Sequence, residues 1–339
     1  MSETKFNTDH VEQLEVSPAR GGAGSKVKRH CARWWWVHLI IFCASFLIIA
    51  LCLVYVAMPK IAQDGVDDAS LEFTELQFLN PSATSVTLTQ RAILHSPSKF
   101  TPTLDSFNAS TFLVTNGTFG AAPMIFVTMP SIHVQHPKSN VAVEDSKVMI
   151  NNMDQLTNFA TQAVAQEYVS TALVGETTLH LGALPTVKIN YNSTSKYKGL
   201  NALKGFNVTG ARIDLLAKPG QQNLKGFAYV PNPSLMTIQL GNVSLSLSTE
   251  KAGKVGTTTI NDMTLKPGNN TLPLFGTMDQ AKVVGSLDGD GMVELLITGT
   301  DAIFNGEHLV YYEKALSANV LKLKMNVMQV IKDSSSGSA

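Results

Sequence analysis

The sequence predicts a mainly β protein carried on one N-terminal membrane helix, and three observations support that reading. Trp34–Met58 contains no Asp, Glu, Lys or Arg. Beyond it, apolar residues alternate with polar ones at a period of two, the pattern of half-buried strands. Short motifs then recur in the same order along the chain, which divides the β-rich part into two tandem units.

The helix follows from length and composition. At about 1.5 Å per residue, Val37–Ala57 covers roughly the 30 Å hydrocarbon layer, and a helix closes its backbone hydrogen bonds internally where no water is available. Trp34, Trp35 and Trp36 flank one end and Tyr55 the other, as interfacial rings do. A cleaved signal peptide fits less well, because a polar stretch of 33 residues precedes the segment and Ala57-Met58-Pro59-Lys60 is a weak cleavage context. A buried core helix is the other alternative. Lys26, Lys28, Arg29 and Arg33 precede the segment, whereas Asp64, Asp67, Asp68 and Glu72 follow it. The positive-inside bias then predicts a cytosolic, disordered tail over 1–33, a span over 34–58, and a lumenal or extracellular remainder from residue 59.

The remainder is long enough for proper cores. Of 26 Lys+Arg and 26 Asp+Glu, six and four lie in the tail, which leaves 20 and 22 downstream. That balance argues against a nucleic-acid partner, which needs a basic face. All three cysteines, Cys31, Cys43 and Cys52, lie in or just before the span, so no disulfide can brace the region beyond it. Cys31, beside the cytosolic face, is a candidate for palmitoylation; the alternative is an idle thiol. Asn108, Asn116, Asn192, Asn207, Asn242 and Asn269 each begin an Asn-x-Ser/Thr triplet and are candidate glycosylation sites. Roughly four such triplets would arise by chance, so they support the topology only weakly.

Within the β-rich part, Met236, Ile238 and Leu240 alternate with polar residues, as do Val243, Leu245 and Leu247 after Gly241-Asn242. These predict a hairpin, or two strands joined by a bend, with Phe227 and the alternating residues facing the core. Val86-Leu88, Val187-Ile189-Tyr191, Ile213-Leu215 and Leu321-Leu323-Met325-Val327 predict further strands. One segment differs: over 152–173, Met153, Leu156, Phe159, Ala160, Ala163, Val164 and Tyr168 recur at helical spacing behind a capping Asn152. Its polar face lacks Lys and Arg, which favours a helix packed on a sheet over one lying on a membrane surface.

The repeat rests on three matches. Asn80-Pro81-Ser82 returns as Asn232-Pro233-Ser234, Met153-Asp154-Gln155 as Met278-Asp279-Gln280, and the pair Gly175/Gly182 as Gly299/Gly306. The first copy would carry an insertion of about 27 residues. The expected units are 59–204, holding the helix, and 205–333, with 334–339 a flexible tail.

Gly199-Leu200-Asn201-Ala202-Leu203-Lys204-Gly205-Phe206, Asn223-Leu224-Lys225-Gly226, Val230-Pro231-Asn232-Pro233-Ser234, Leu240-Gly241-Asn242-Val243 and Leu265-Lys266-Pro267-Gly268-Asn269 together resemble an uncharacterised fungal domain family of single-pass membrane proteins. That family is distantly similar to type 2 late-embryogenesis-abundant domains. The resemblance spans roughly 66–332 and is strongest at 199–270. It implies an antiparallel β-sandwich repeated twice, and a home in the fungal vacuole or another endomembrane, with the cell surface as an alternative. One relative is similar to a vacuolar-membrane regulator that ends autophagy. The motifs are turn and strand residues, so they speak to fold and not to chemistry.

Catalytic patterns are scarce. There is no Gly-x-Ser-x-Gly elbow, no His-Glu-x-x-His, and no Cys pair beyond the span. Gly21–Lys26 is glycine-rich but lacks the ending of a phosphate loop. Asp288-Gly289-Asp290-Gly291, followed by Glu294, opens like a calcium loop, yet Met292 and Val293 stand where oxygen ligands are needed, so a tight turn fits better. His133 and His136, with His95 and His180 elsewhere, lack a third zinc ligand. The reading is therefore a non-enzymatic membrane protein without catalytic, cofactor or metal residues, whose lumenal region binds a lipid or a protein. The alternatives are a lumenal hydrolase with scattered residues, Asp288 and Glu294 among its carboxylates, and a purely structural anchor.

Overall fold

Alternation becomes strand wherever one face finds a layer to cover it, and almost every alternating segment here does. The computed structural model describes residues 23–218 and 220–336, with side chains for 34–218 and 220–334. The chain divides into a unit ending at Ala57 and a second, Met58–Ala339.

In the first unit, α1 (Ala23–Cys52) loses helical geometry at Trp34 and passes into a π turn over Leu53–Ala57. The helix thus begins ahead of Trp34, inside the stretch expected as disordered tail, where Lys26, Lys28, Arg29, Ala32 and Arg33 are good helix formers and the one glycine, Gly24, lies at the very start. Residues 1–22 of that tail lie outside the described residues. Trp34–Asp67 is long and apolar enough to cross a membrane, and none of its most apolar stretch is buried in the protein. A core helix would be covered by its own fold, so that alternative is excluded.

The second unit opens with α2 (Met58–Asp67), β1 (Ser70–Leu79) and β2 (Ser85–His95). Next come β3 (Thr103–Leu104), β4 (Phe107–Thr115), β5 (Thr118–Phe119), β6 (Ile125–Met129), β7 (Ile132–His133) and β8 (Lys138–Met149). Then follow α3 (Met153–Ala165), β9 (Tyr168–His180) and β10 (Val187–Lys198). After a 3-10 turn at Asn201–Leu203 the chain forms β11 (Asn207–Ile213), β12 (Leu224–Asn232), β13 (Met236–Thr249), β14 (Gly253–Leu265) and β15 (Gly268–Met278). It continues through α4 (Gln280–Gly285), β16 (Met292–Phe304), β17 (Glu307–His308), α5 (Val310–Ser317), β18 (Leu321–Asn326) and α6 (Val327–Ser336).

The fold class is mainly β, with an N-terminal apolar helix and two sheets in a sandwich-like arrangement, one of seven strands and one of eleven. β4, β9 and β10 belong to the seven-stranded sheet and face β1, β2 and β8, with Phe73 of β1 edge-on to Tyr197 of β10 at 5.8 Å between ring centroids. The eleven-stranded sheet runs on through the second half of the chain and curls, so that Val230 of β12 lies across from Leu245 of β13 and Ile297 of β16. The expected boundary at 204/205 falls between the 3-10 turn and β11, yet the sheet crosses it. β1 pairs in parallel with β13, matching Leu76 to Met236 and Phe78 to Ile238. α3 and α5 pack together, and Phe159 of α3 and Tyr312 of α5 share one lining with Phe78 and Ile238 at that seam.

α3 begins as read: the Asn152 side chain accepts from the Gln155 amide at 3.0 Å, and Leu156, Phe159, Ala160, Ala163 and Val164 are buried. It stops at Ala165, short of the expected 173. From Tyr168 onward Val169, Thr171 and Leu173 are β-branched or strand-compatible at a period of two and bury between β4 and β10, so tertiary pairing takes that stretch from the helix. Other limits shift in the same way. β11 ends at Ile213 and leaves Leu215 exposed, while Val327 is buried as the first residue of α6, which runs on to Ser336 inside the expected tail. Residues 337–339 lie outside the described residues.

The alternating segments around Gly241 form one strand, β13, with a bend. Met236, Ile238 and Leu240 are buried, then Val243, Leu245 and Leu247, so the inward parity slips by one residue at Gly241-Asn242. The pairing with β14 shifts register on both sides of Gly241, as a bulge requires. Gly241 has φ +71°, and a Cβ there would strike the Ile303 carbonyl. Phe227, expected inside, is 49% exposed: Gly226, Ala228 and Val230 hold the inner face of β12, and the intervening Phe227 points out beside Gly210. The Asn-Pro motif also has a local purpose. Buried Asn232 donates to the Met236 carbonyl at 2.8 Å and accepts from the Ser234 amide at 2.9 Å, closing the turn into β13. Pro231, which lacks a donor, lies beyond the last pairing of β11, at Asn207–Tyr229.

Both Met-Asp-Gln motifs open a helix that leads into a long strand with a glycine in mid-strand. A Cβ on Gly175 would meet the Phe107 ring, and one on Gly299 would meet Leu316.

Leu240→Ala should destabilise Met58–Ala339 by about 2–5 kcal/mol, because the site is enclosed. Phe227→Ala should cost well under about 1 kcal/mol at its exposed site. Denaturant unfolding of both variants checks the inversion; equal losses would refute the assigned faces.

Candidate functional site

The first helix of the second unit, α2, is held to the β body by apolar packing and by a side-chain clamp. α2 follows the π turn directly, and Pro59, which has no amide to donate, comes two residues after that irregular turn. Ile61, Ala62, Gly65 and Val66 fall on one stripe and line a cleft with Leu94, Phe100, Leu179 and Tyr191. Gln63 fastens the helix. Its amide nitrogen donates to the Asn190 carbonyl at 2.8 Å and its oxygen accepts from the Asn190 amide at 2.9 Å, so one side chain imitates a neighbouring strand. Among the described residues β10 pairs only with β9, and Lys188, Asn192, Lys196 and Lys198 stand exposed along it. Gln63 satisfies one position of that open edge.

The cavities define what the body can enclose. The α2 cleft holds about 50 Å³, the seam beneath α3 and α5 about 40 Å³, and the first sandwich about 30 Å³ around Thr111 and Thr171. Ligand sites run to several hundred Å³, so none of these spaces takes a whole acyl chain. A shallower opening of about 580 Å³ is lined by Lys218, Gln221, Asn223, Thr277 and Asp279, which suits water better than lipid.

Residues singled out in the sequence are dispersed. His95 pairs with Glu72 and His180 with Asp105, each at 2.8 Å, while His133 contacts the Thr103 hydroxyl at 3.0 Å and His136 the Ser96 carbonyl at 3.1 Å. The Asp288 carboxylate accepts from the Asp290 and Met292 amides at 3.1 and 2.8 Å, closing a tight turn into β16, and Glu294 lies opposite Lys324 on that strand. All six sequon asparagines are exposed: Asn108 on β4, Asn116 in the β4–β5 turn, Asn192 on β10, Asn207 on β11, Asn242 at the bulge of β13 and Asn269 on β15. The side chain of Cys31 lies outside the described residues, and Cys43 and Cys52 are exposed on α1. Sequence reading missed one cluster. Asp301, His308 and Glu313 bring ligand atoms within 4.8 Å of one another, but they come from two strands, β16 and β17, and from α5, so no spacing rule joins them. Glu313 Oε1 lies 2.6 Å from His308 Nδ1 and accepts from the Ala302 amide at 3.2 Å, which ties α5 to β16.

Residues 122–247 match a family model described as a protein of unknown function (DUF3712). The match covers less than half of the chain and includes α3, the seven-stranded sheet's β9 and β10, and β13 as far as Leu247. No curated protein matches the sequence. Among solved structures, AT1g01470 from Arabidopsis thaliana is similar at 15% identity, covering 39% of this chain and 77% of that one, with a TM-score of 0.22. A protein from Archaeoglobus fulgidus is similar at 11% identity over 39% of this chain and 94% of its own, TM-score 0.21. Red sea bream transglutaminase is similar at 11% identity over 75% of this chain and 30% of its own, TM-score 0.22. Likeness at this level carries no argument about function.

Four buried tyrosines report on the body's integrity. Burial raises the pKa of Tyr191, Tyr197, Tyr311 and Tyr312 above the ordinary 10.0; Tyr311 is raised further by Glu307 and donates to the Ser82 carbonyl at 3.2 Å. The unfolded chain ionises first, so their contribution is complete below pH 10 and is lost as pH rises above it. Each tyrosine that stays protonated in the fold should remove about 1.4 kcal/mol of stability per pH unit in that window. Thermal unfolding from pH 9 to 11.5 should show this steepening, and a flat profile would contradict the burial. Gln63→Ala should cost about 1 kcal/mol and speed hydrogen exchange at the Asn190 amide, with the other β10 amides nearly unchanged.

Proposed function

We propose that this chain is a non-enzymatic, single-pass membrane protein, N-terminus cytosolic, whose lumenal β body engages a protein partner beside the bilayer of a fungal vacuole or another endomembrane. The observation that carries the reading is the splice at Ala57–Met58. A helix apolar enough to cross a membrane passes without spacer into α2, and α2 is pinned to the body by Gln63. The basic residues before the helix and the acidic ones after it support the orientation. Cavities of about 50 Å³ and less favour recognition on the outer surface over a sheltered lipid. The titratable groups marked in the sequence are spent on turns and local pairs, which supports a binding role over hydrolysis.

Protease added outside sealed vesicles should leave 59–339 intact, and glycosidase should raise gel mobility, with Asn116→Gln removing one step because Asn116 lies in an exposed turn. Digestion of the body from the cytosolic side would overturn the orientation. Native mass spectrometry of the full-length protein should show no stoichiometric lipid after detergent exchange; a retained lipid would overturn surface recognition in favour of sheltering.

A further inference from the structure

Two large apolar side chains from separate segments stand exposed at one cleft, and a third lies in the turn that follows one of its lining residues, Leu181. Ile61 of α2 is 52% exposed, Phe100 of the loop between β2 and β3 is 58% exposed, and Leu184 of the β9–β10 turn is 40% exposed. Ile61 and Phe100 line the same cleft as Met58 and Leu181, and the Leu184 amide donates to the Leu181 carbonyl at 3.1 Å, which keeps Leu184 within one tight turn of that lining. Scattered exposed apolar residues are ordinary; a cluster assembled from remote segments marks a contact surface.

We propose that this rim rests on the lipid surface from which the helix emerges, an apolar footing that supplements the anchor. The proposal relies on the reading of Trp34–Ala57 as a span, and connectivity identifies the occupant. Val37–Ala57 uses up about 30 Å of helix, enough to cross the hydrocarbon layer, and the headgroup zone adds only about 5–8 Å on each side. Met58 is the next residue, and Ile61 comes about 5 Å further along the helix, still within that zone. Phe100 shares a cleft with Met58, so it cannot lie far from the same level. Lys60 and Lys99, both exposed, neighbour Ile61 and Phe100 in sequence and suit the headgroup layer, where their stems lie along apolar surface and their ammonium groups reach water or phosphate. The exposed acidic residues Asp64, Asp67 and Asp68 come later, about 9 Å or more beyond Met58 along the helical rise.

The test uses the full chain with Cys31, Cys43 and Cys52 replaced by serine. A polarity-sensitive fluorophore is placed on Phe100→Cys, on Leu184→Cys, or on Leu216→Cys, the last at a side chain 94% exposed and outside the cleft. Each protein is reconstituted into vesicles of phosphatidylcholine and phosphatidylserine and washed with alkaline carbonate. The expected result is blue-shifted emission and quenching by brominated lipid at positions 100 and 184, with neither at 216. If the washed vesicles retain the protein but the labels at 100 and 184 match 216, the footing is overturned and the anchor stands. Extraction of the protein by carbonate would overturn the span, and the footing with it.

Discussion

Three backbone pairings, Leu76 with Met236, Gln77 with Thr237 and Phe78 with Ile238, join the first strand of the β region to one about 160 residues later. They are parallel, whereas the hairpins around them are antiparallel, so no local turn could have created them. Everything else about the body follows from accommodating this seam. α3 and α5 are drawn together over it, Tyr311 reaches back to the Asn-Pro-Ser turn after β1, and the two halves share one sheet. Phe78, Phe159, Ile238 and Tyr312 exclude water from the junction, leaving a space of only about 40 Å³.

The bulge at Gly241 is the geometric counterpart of the seam. β13 must lie beside β1 over Met236–Ile238 and beside β16 over Asn242–Ser248, while keeping β14 on its other edge. One straight strand could not bury the same face against both neighbours. Slipping the inward parity by one residue bends it, and the left-handed backbone at position 241, packed against the Ile303 carbonyl, leaves room only for glycine.

Local physics is what the sequence makes legible. Period-two runs mark β2, β10 and both arms of β13, a capping asparagine marks the start of α3, and the run of uncharged residues marks the apolar helix. Where two local signals competed, the sequence could not arbitrate. Tyr168 fits a helical stripe and a strand equally, and only pairing with β10 decides it. Phe227 looks like core by its hydrophobicity but stands on the outer side of β12, since the small residues on either side of it hold the inner face. The seam, the Gln63 clamp and the apolar rim each join residues far apart in the chain, and no spacing rule reports such distances. Gln63 in particular looks like any surface glutamine until Asn190 is placed beside it.

Synthesis runs from the N-terminus, and the seam sets a schedule for it. β1 can pair with β2 as soon as both have emerged, but its other edge has no partner until Met236–Ile238 is made. At about 5–20 residues per second, that edge stays open for on the order of ten seconds, together with the apolar face of α3 that awaits α5. A nascent chain in this interval carries an unpaired strand and an uncovered helix, the surfaces that recruit chaperones or mispair with neighbours. The first half of this protein therefore carries one open strand edge and one uncovered helix face until the second half has been made.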